Sequence, residues 1–330
     1  MKTKSDRMMD TLLGVALHIV FPIKILVKVY SLCVLMVDIV WVILNTISSV
    51  LQSFYELFKP PPLKPVNMET AIVVGSGRGI GREIAIQLAE LGATVLCVDK
   101  NSISNQDTVN VIKHNTKGIA VAYNVDITKK KNVEALAAQV KEDFSFVSMI
   151  FYCCGIPSPR SLLTKPPQNI HETVDLTLTS YFWLIDQFMP DMKSKNHGHV
   201  VALTSVAGLS YIKDQIPLSV AQFAVQGLAS SLMEDLRVNK IDGVHVTLMH
   251  IYPFIVKDDD GTDLKWRISS YFGTISPEEA AKSVLDSVRR NYPEASVPKH
   301  LLYLGNLLRI LPRRATVLIR DLLDTGVDFA

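Results

Sequence analysis

The 330-residue chain reads as a doubly wound α/β protein, a parallel sheet covered by helices on both faces, with a hydrophobic helical anchor in front of it. Three observations lead there. An apolar strand pattern, Ala71-Ile-Val-Val74, runs through a glycine-dense turn straight into a helical pattern. Strand and helix patterns then alternate as far as the helix opening at Ser276, the mark of a parallel sheet. And the first 58 residues are apolar in a way that nothing after them is.

Those first residues come first in order. After Lys2, Lys4 and Arg7, an apolar run from Thr11 to Ile23 is interrupted by Pro22 and followed by Lys24 and Lys28. A second run, Val29 to Phe54, carries Asp38 as its one charge. As a helix, Val29–Val50 rises roughly 33 Å, enough for the hydrocarbon core of a bilayer. A cleaved signal peptide would need a short apolar core and a small-residue cleavage site, a pattern this segment lacks. A helix pair buried against the following domain is the other use of such a run. Asp38 is tolerable in mid-span if it pairs or faces water, and Trp41 and Tyr55 suit interfacial positions. Basic residues on both sides leave orientation open, and the anchor either spans or lies in one leaflet. The division expected is residues 1–58 as anchor, 59–66 as linker, 67–300 as the α/β domain and 301–330 as an amphipathic tail. Lys59-Pro-Pro-Pro-Leu-Lys-Pro65 is stiff and extended because successive prolines favour polyproline II.

Within the domain the expected order is strand Thr70–Val74, helix Gly81–Leu91, strand Thr94–Val98, strand Ile119–Val125 and helix Lys129–Asp143. The last repeats Val133, Leu136, Ala137 and Val140 at helical spacing. Strand Val147–Tyr152, helix Val174–Lys193, strand His199–Leu203, helix Ser219–Asn239 and strand His245–His250 follow. Ser276-Pro-Glu-Glu279 opens a final helix, with a capping serine, proline in the first turn and acids at its positive end. Between Pro253 and Ile275 lies a polar loop with Asp258, Asp259 and Asp260, a lid over a substrate in this architecture or simply a solvated loop. In the tail, Leu304, Leu307, Leu308, Leu311, Leu318 and Leu322 interleave with Arg309, Arg313, Arg314 and Arg320, and Pro312 divides any helix there. Such a basic amphipathic pattern lies on a membrane surface or caps the sheet.

Composition narrows the chemistry. A net charge of +2 argues against a nucleic-acid partner, because no long basic face is needed to explain it. The four cysteines, Cys33, Cys97, Cys153 and Cys154, lack CxxC spacing, and neighbours on a strand point to opposite faces. They read as small core residues of a reducing compartment rather than a metal or disulfide site. The turn Gly75-Ser76-Gly77-Arg78-Gly79-Ile80-Gly81 is what remains. Glycines there let the backbone approach a pyrophosphate, and the helix start directs N–H groups at it. An acid about twenty residues on, Asp99, accepts the ribose hydroxyls of NAD and repels the extra phosphate of NADP.

With Asp99, Asn124-Val-Asp126 and His197-Gly-His-Val-Val-Ala-Leu-Thr-Ser-Val-Ala-Gly208, that turn resembles the short-chain dehydrogenase/reductase family, with its Rossmann-like fold. The anchor, Phe182-Trp183 and Leu308-Arg-Ile-Leu-Pro312 are similar to the membrane-anchored group holding lipid-droplet 17-beta-hydroxysteroid dehydrogenases and epidermal-type retinol dehydrogenases. The resemblance implies NAD on Gly75–Gly81, Asp99, Asp126 and Gly155. Asp126 would meet the adenine amino group, or else be a turn acid ahead of the next helix. It also implies hydride transfer assisted by a tyrosine, a lysine four residues later, a serine and an asparagine. Ser205 matches the serine. Leu218 stands at the tyrosine position, Gln222 at the lysine position and Thr177 at the asparagine position. Tyr152-Cys-Cys-Gly155 replaces an Asn-Asn-Ala-Gly run and sets a bulky ring beside the adenosine pocket. Tyr211 has Gln215 rather than lysine at the right spacing, and Tyr55 with Lys59 falls in the anchor and linker. The expectation is a catalytically impaired, NAD-binding module with weakened cofactor affinity, at the endoplasmic reticulum membrane or lipid droplets. Its expected partners are membrane lipid, a lipid-like small molecule and a second dehydrogenase subunit. That subunit, a copy or an active relative, would pair through helices Val174–Lys193 and Ser219–Asn239. The competing expectation is an active oxidoreductase on a retinol-like or steroid-like alcohol.

Overall fold

A computed structural model describes residues 4–155, 170–205, 216–252 and 275–323. The chain divides into two compact units, Met1–Pro61 and Pro62–Ala330. The first is one helix, α1 (Lys4–Phe58), which continues through Pro22. A proline removes one N–H from the helical ladder and bends the helix, but the bonds on either side carry it on. From Leu26 to Phe58 this helix is long and apolar enough to cross a membrane, and none of it is buried.

The second unit is built on seven parallel strands in the order β3-β2-β1-β4-β5-β6-β7. In chain order it runs β1 (Thr70–Val74), α2 (Gly79–Glu90), β2 (Thr94–Asp99), α3 (Ser102–Asn115), β3 (Ile119–Asn124), α4 (Lys130–Asp143) and β4 (Met149–Tyr152). Then come α5 (Ile170–Val174), a π-helical turn (Asp175–Thr179), α6 (Ser180–Lys195), β5 (Gly198–Ser205), α7 (Ile216–Val238) and β6 (Val244–Ile251). The unit closes with α8 (Pro277–Arg289), β7 (Glu294–Val297), α9 (His300–Ile310) and α10 (Arg313–Leu323). Near-continuous apolar strands such as Ala71–Val74 and Val95–Val98 are buried on both faces, as a sheet between two helical layers requires. Residues of α4, α6 and α7 cover one face, and residues of α2, α3 and α8 the other. Cys153 packs against the second core and Cys154 against the first, so the adjacent thiols do point apart.

Helix α3 and strand β7 go beyond the sequence reading. Helix α3 starts at Asn101, whose side chain accepts from the N–H groups of Ile103 and Ser104. Its inward face carries Asn105 and Thr108 beside Val109 and Ile112, which blurs the apolar period. Strand β7 is a four-residue edge between Pro293 and Pro298, and prolines argue against a strand in sequence while an edge position tolerates them. The start of α8 is as expected: Ser276 Oγ accepts from Glu279 N at 3.1 Å and the Glu279 carboxylate from Ser276 N at 3.4 Å.

The segment entering the domain is fastened beneath the sheet. Lys64 N–H donates to Arg289 O at 2.8 Å, and Arg289 Nε donates to Lys64 O at 2.9 Å. Lys64 Nζ lies 2.8 Å from Nδ1 of the buried His199, whose Nε2 lies 2.8 Å from Thr247 Oγ1. Thr247 spends its one proton on Tyr292 O. It must therefore accept from His199 Nε2–H, which leaves Nδ1 a lone pair for the lysine. Burial, the Lys64 charge and His245 hold His199 well below its ordinary pKa, and burial brings Lys64 down to about 8.

Candidate cofactor and active site

The strand order reverses between β1 and β4, so a crevice opens at the carboxyl ends of the strands there. The glycine turn fills the step from β1 to α2. Gly75 and Gly79 have φ of +88° and +57°, a region that strains other residues. A Cβ on Gly81 would fall 2.1 Å from Gly75 O, whereas one on Gly79 would meet nothing within 4 Å. The turn is thus closed against its own helix and open outward over Gly79. Arg78 is the N-cap of α2 with extended backbone and no side-chain cap bond, its side chain exposed. A dinucleotide's phosphates fit this cradle of glycine backbone and helix start.

The turn is held from behind. Ser76 is fully buried, and its hydroxyl donates to Asn105 Oδ1 at 2.8 Å rather than facing the crevice. Asn105 Nδ2 donates to Cys97 O at 3.0 Å and Tyr123 O at 3.1 Å, and Thr108 Oγ1 donates to Ser76 O at 2.9 Å. Ile80 packs on the core behind the turn. Asn105 and Thr108 are site-building residues that the sequence reading missed. The Asn101 cap was the available signal. Asp99, at the end of β2, accepts from Gly77 N at 3.0 Å and from Asn101 N at 2.9 Å. A Cβ on Gly77 would come within 2.9 Å of that carboxylate. Asp126 is engaged in its own turn, accepting from Thr128 N at 3.1 Å and Thr128 Oγ1 at 2.6 Å. The Thr128 bonds, with the charges of Lys129 and Lys100, hold its carboxyl below the ordinary range.

Ser205, Thr177, Gln222 and Gly155 come together on the other side of the crevice, from β5, the π turn, α7 and the end of β4. Gln222 is fully buried. Its Oε1 accepts from Ser205 N at 2.8 Å and from the Thr204 hydroxyl, and its Nε2 donates to Gly155 O at 2.7 Å. Gly155, at φ +79°, lies against Thr177: a Cβ there would be 2.6 Å from Thr177 Oγ1. Leu218 sits one turn before Gln222 on α7 and is 6% exposed. No group in this set carries charge, and the amide of Gln222 is a strut between the ends of two strands.

Tyr152 corrects an expectation. Its ring is buried against Tyr181, with centroids 4.5 Å apart, and so contributes no bulk to the crevice. Its hydroxyl donates to Leu176 O in the π turn and lies 2.5 Å from Ser180 Oγ. The strand alternation explains this: Tyr152 continues the row of Ile150 into the core. Burial pushes Cys97 and Cys154 up to about 12 and raises Cys153 well above its usual range, so all three are inert thiols. Gly208, Tyr211, Gln215 and Asp258–Asp260 lie outside the described residues. No cluster of metal-binding side chains occurs among the described residues.

An open parallel sheet with a glycine turn at its switch point defines a dinucleotide-binding α/β architecture. The chain belongs to the short-chain dehydrogenase family, whose model matches residues 69–264. It is similar to epidermal retinol dehydrogenase 2 of Mus musculus, 28% identical over 279 residues, covering 84% of this chain and 90% of that protein. It is also similar to estradiol 17-beta-dehydrogenase 11 of Homo sapiens, 26% identical over 281 residues, covering 84% and 91%. Among solved structures, L-sorbose reductase from Gluconobacter frateurii complexed with NADPH and L-sorbose matches with a TM-score of 0.61. It is 18% identical and covers 70% of this chain and 94% of that one.

Proposed function

We propose that this protein is a membrane-anchored member of the family that binds NAD without catalysing hydride transfer, and serves as a ligand-responsive interaction module. The observation that carries this reading is Gln222. The family reaction needs a cation that lowers a tyrosine's pKa. At that place stands a neutral amide with bonds to Thr204, Ser205 and Gly155, beside a leucine. Losing a general acid alone removes about 10²–10⁴-fold in rate. The NAD assignment rests on the glycine cradle and on Asp99, whose charge opposes the extra phosphate of NADP. Binding is weakened because Gln222 cannot offer an ammonium to the nicotinamide ribose. Residues 1–58 anchor the chain in the endoplasmic reticulum membrane or at lipid droplets through the apolar Leu26–Phe58 stretch. The domain of 67–300 follows the 59–66 linker, and its α6 and α7 faces pair with a second copy or an active relative. Phe182, Val220 and Phe223 are exposed on these faces.

The second reading, an active oxidoreductase on a retinol-like or steroid-like alcohol, is favoured by the likeness to epidermal retinol dehydrogenase 2 over most of both chains. One experiment separates them: NADH binding and turnover of retinol and steroid alcohols by the full chain, wild type and Leu218→Tyr with Gln222→Lys. The expected outcome is NADH binding without turnover in the wild type. Turnover appearing only in the double variant would mean that chemistry alone was lost. Wild-type turnover overturns the reading.

A further inference from the structure

Helix α9 has two apolar faces. Leu301 is buried, with Leu304 and Leu308 half-buried on the same side. The helix is also fastened to the domain by polar bonds. Leu302 N–H donates to Ser296 Oγ at 2.9 Å and Tyr252 OH to Leu301 O at 3.4 Å. Arg309 reaches Gln226 Oε1 at 2.9 Å and lies over the Phe223 ring. The opposite face carries Tyr303, Leu307 and Ile310, 62%, 53% and 81% exposed, at positions i, i+4 and i+7 of one stripe. Helix α10 folds back at Pro312 and is pinned by Thr316 Oγ1 donating to Leu308 O at 2.9 Å. Its Leu318 is 71% exposed. A docked helix that is apolar on its outer face as well is covered in use.

The charges around the stripe say by what. Lys299 stands at its start and Arg313 and Arg314 at its end, all exposed, with no carboxylate partner among the described residues. An apolar stripe framed by cations is the composition of an interfacial helix on anionic lipid. Lipid is also at hand. The same chain carries the apolar α1 segment, and between its end at Phe58 and the start of the second unit at Pro62 lie Lys59–Pro61, three residues that reach roughly 9 Å when extended. We infer that α9 and the start of α10 form a second membrane contact, with Tyr303, Leu307, Ile310 and Leu318 inserted at headgroup depth and Arg313 and Arg314 on anionic headgroups. This deepens the membrane reading of α1 and rests on it, so the test must report on each segment separately.

The test uses the full chain in vesicles of 70% phosphatidylcholine and 30% phosphatidylserine. A bimane fluorophore is attached at exposed Cys33 in α1 in one sample, and at Leu307→Cys in a Cys33→Ser background in another. Quenching by doxyl-labelled lipid is compared with quenching by aqueous iodide. The expected result is lipid quenching at both positions. Arg313→Glu with Arg314→Glu should shift the docking equilibrium at position 307 at least about thirtyfold toward water, at roughly fivefold for each basic residue lost. Position 33 should stay unchanged. Lipid quenching at 33 with iodide quenching at 307 overturns the inference and spares the anchor. Iodide quenching at 33 with lipid quenching at 307 supports the inference and removes the anchor. Protection of 307 from both quenchers, with self-association of the chain, would assign the stripe to a second copy and overturn it as well.

Discussion

At the scale of single residues, a protonation state is legible from geometry at His199. Lys64 donates to its Nδ1 and Thr247 accepts from its Nε2, so a second proton on the ring would face an ammonium 2.8 Å away. His245, 5.7 Å off between ring centroids, adds to the cost if it is charged. His197, also part of this corner, is paired with Glu69 at 3.1 Å. The sign follows from linkage. The folded state holds His199 below its ordinary 6.5, so the unfolded chain binds more protons as pH falls past that value. Stability is therefore full above pH 6.5 and declines below it toward the folded pKa. Lys64, brought down to about 8 from 10.5, adds a gain between those two values on the alkaline side. His199→Gln should flatten the acid decline in the thermal denaturation midpoint between pH 6.5 and 5. An unchanged slope would show that another group carries it. Gln222 makes the complementary point about reading sequences. Its identity shows a neutral amide, but only its three bonds show that it ties the ends of two strands together.

Among elements, α3 and the glycine turn behave as one piece. The turn was legible because glycine spacing between a strand and a helix has few other uses. Its support was not, because the residues that hold it are polar and buried: Asn105 and Thr108 sit where a sequence scan expects leucine or valine. Asn105→Ala leaves the carbonyls of Cys97 and Tyr123 without this donor and the Ser76 hydroxyl without its acceptor. The expected cost is about 1–3 kcal/mol per buried group left unsatisfied. It should be read as a lower denaturation midpoint together with at least a tenfold weaker NADH affinity by calorimetry. A midpoint change with affinity intact would mean that the turn keeps its shape unaided. The same limit of legibility hid β7. A four-residue edge strand between prolines has too little pattern to be seen before its neighbour β6 is in place. It also hid the inward turn of Tyr152, which strand parity fixes only once the register of β4 against β5 is known.

Taken whole, the chain's organisation into an apolar helix and an α/β unit was clear from composition, but the joint between them was not. Sequence places the domain's start near Asn67, whereas the compact unit begins at Pro62 and uses Lys64 in its fabric. Removing residues 1–58 should leave the domain's denaturation midpoint within a few degrees of the full chain in detergent. Removing residues 1–65 takes away the Arg289 and His199 contacts and should lower it clearly further. Equal midpoints for the two truncations would return residues 62–65 to the linker.

The unbroken course of α1 has a consequence in simple lengths. Fifty-five residues at about 1.5 Å each make a rod of about 82 Å, nearly twice a bilayer with its headgroups. Even Leu26–Phe58 alone measures about 50 Å against roughly 30 Å of hydrocarbon. In a bilayer such a rod tilts steeply or leaves an end among the headgroups. An oil droplet has a single lipid layer and no water on its far side. Standing upright there, the rod would carry its N-terminal end, with Lys4 and Arg7, into oil. It must instead lie along the surface or fold, and Pro22, where the ladder already lacks a bond, is where a fold is least costly. One straight helix cannot stand the same way in both lipid phases, so a chain that used both, as proposed above, would have to change the posture of α1 on passing from one to the other.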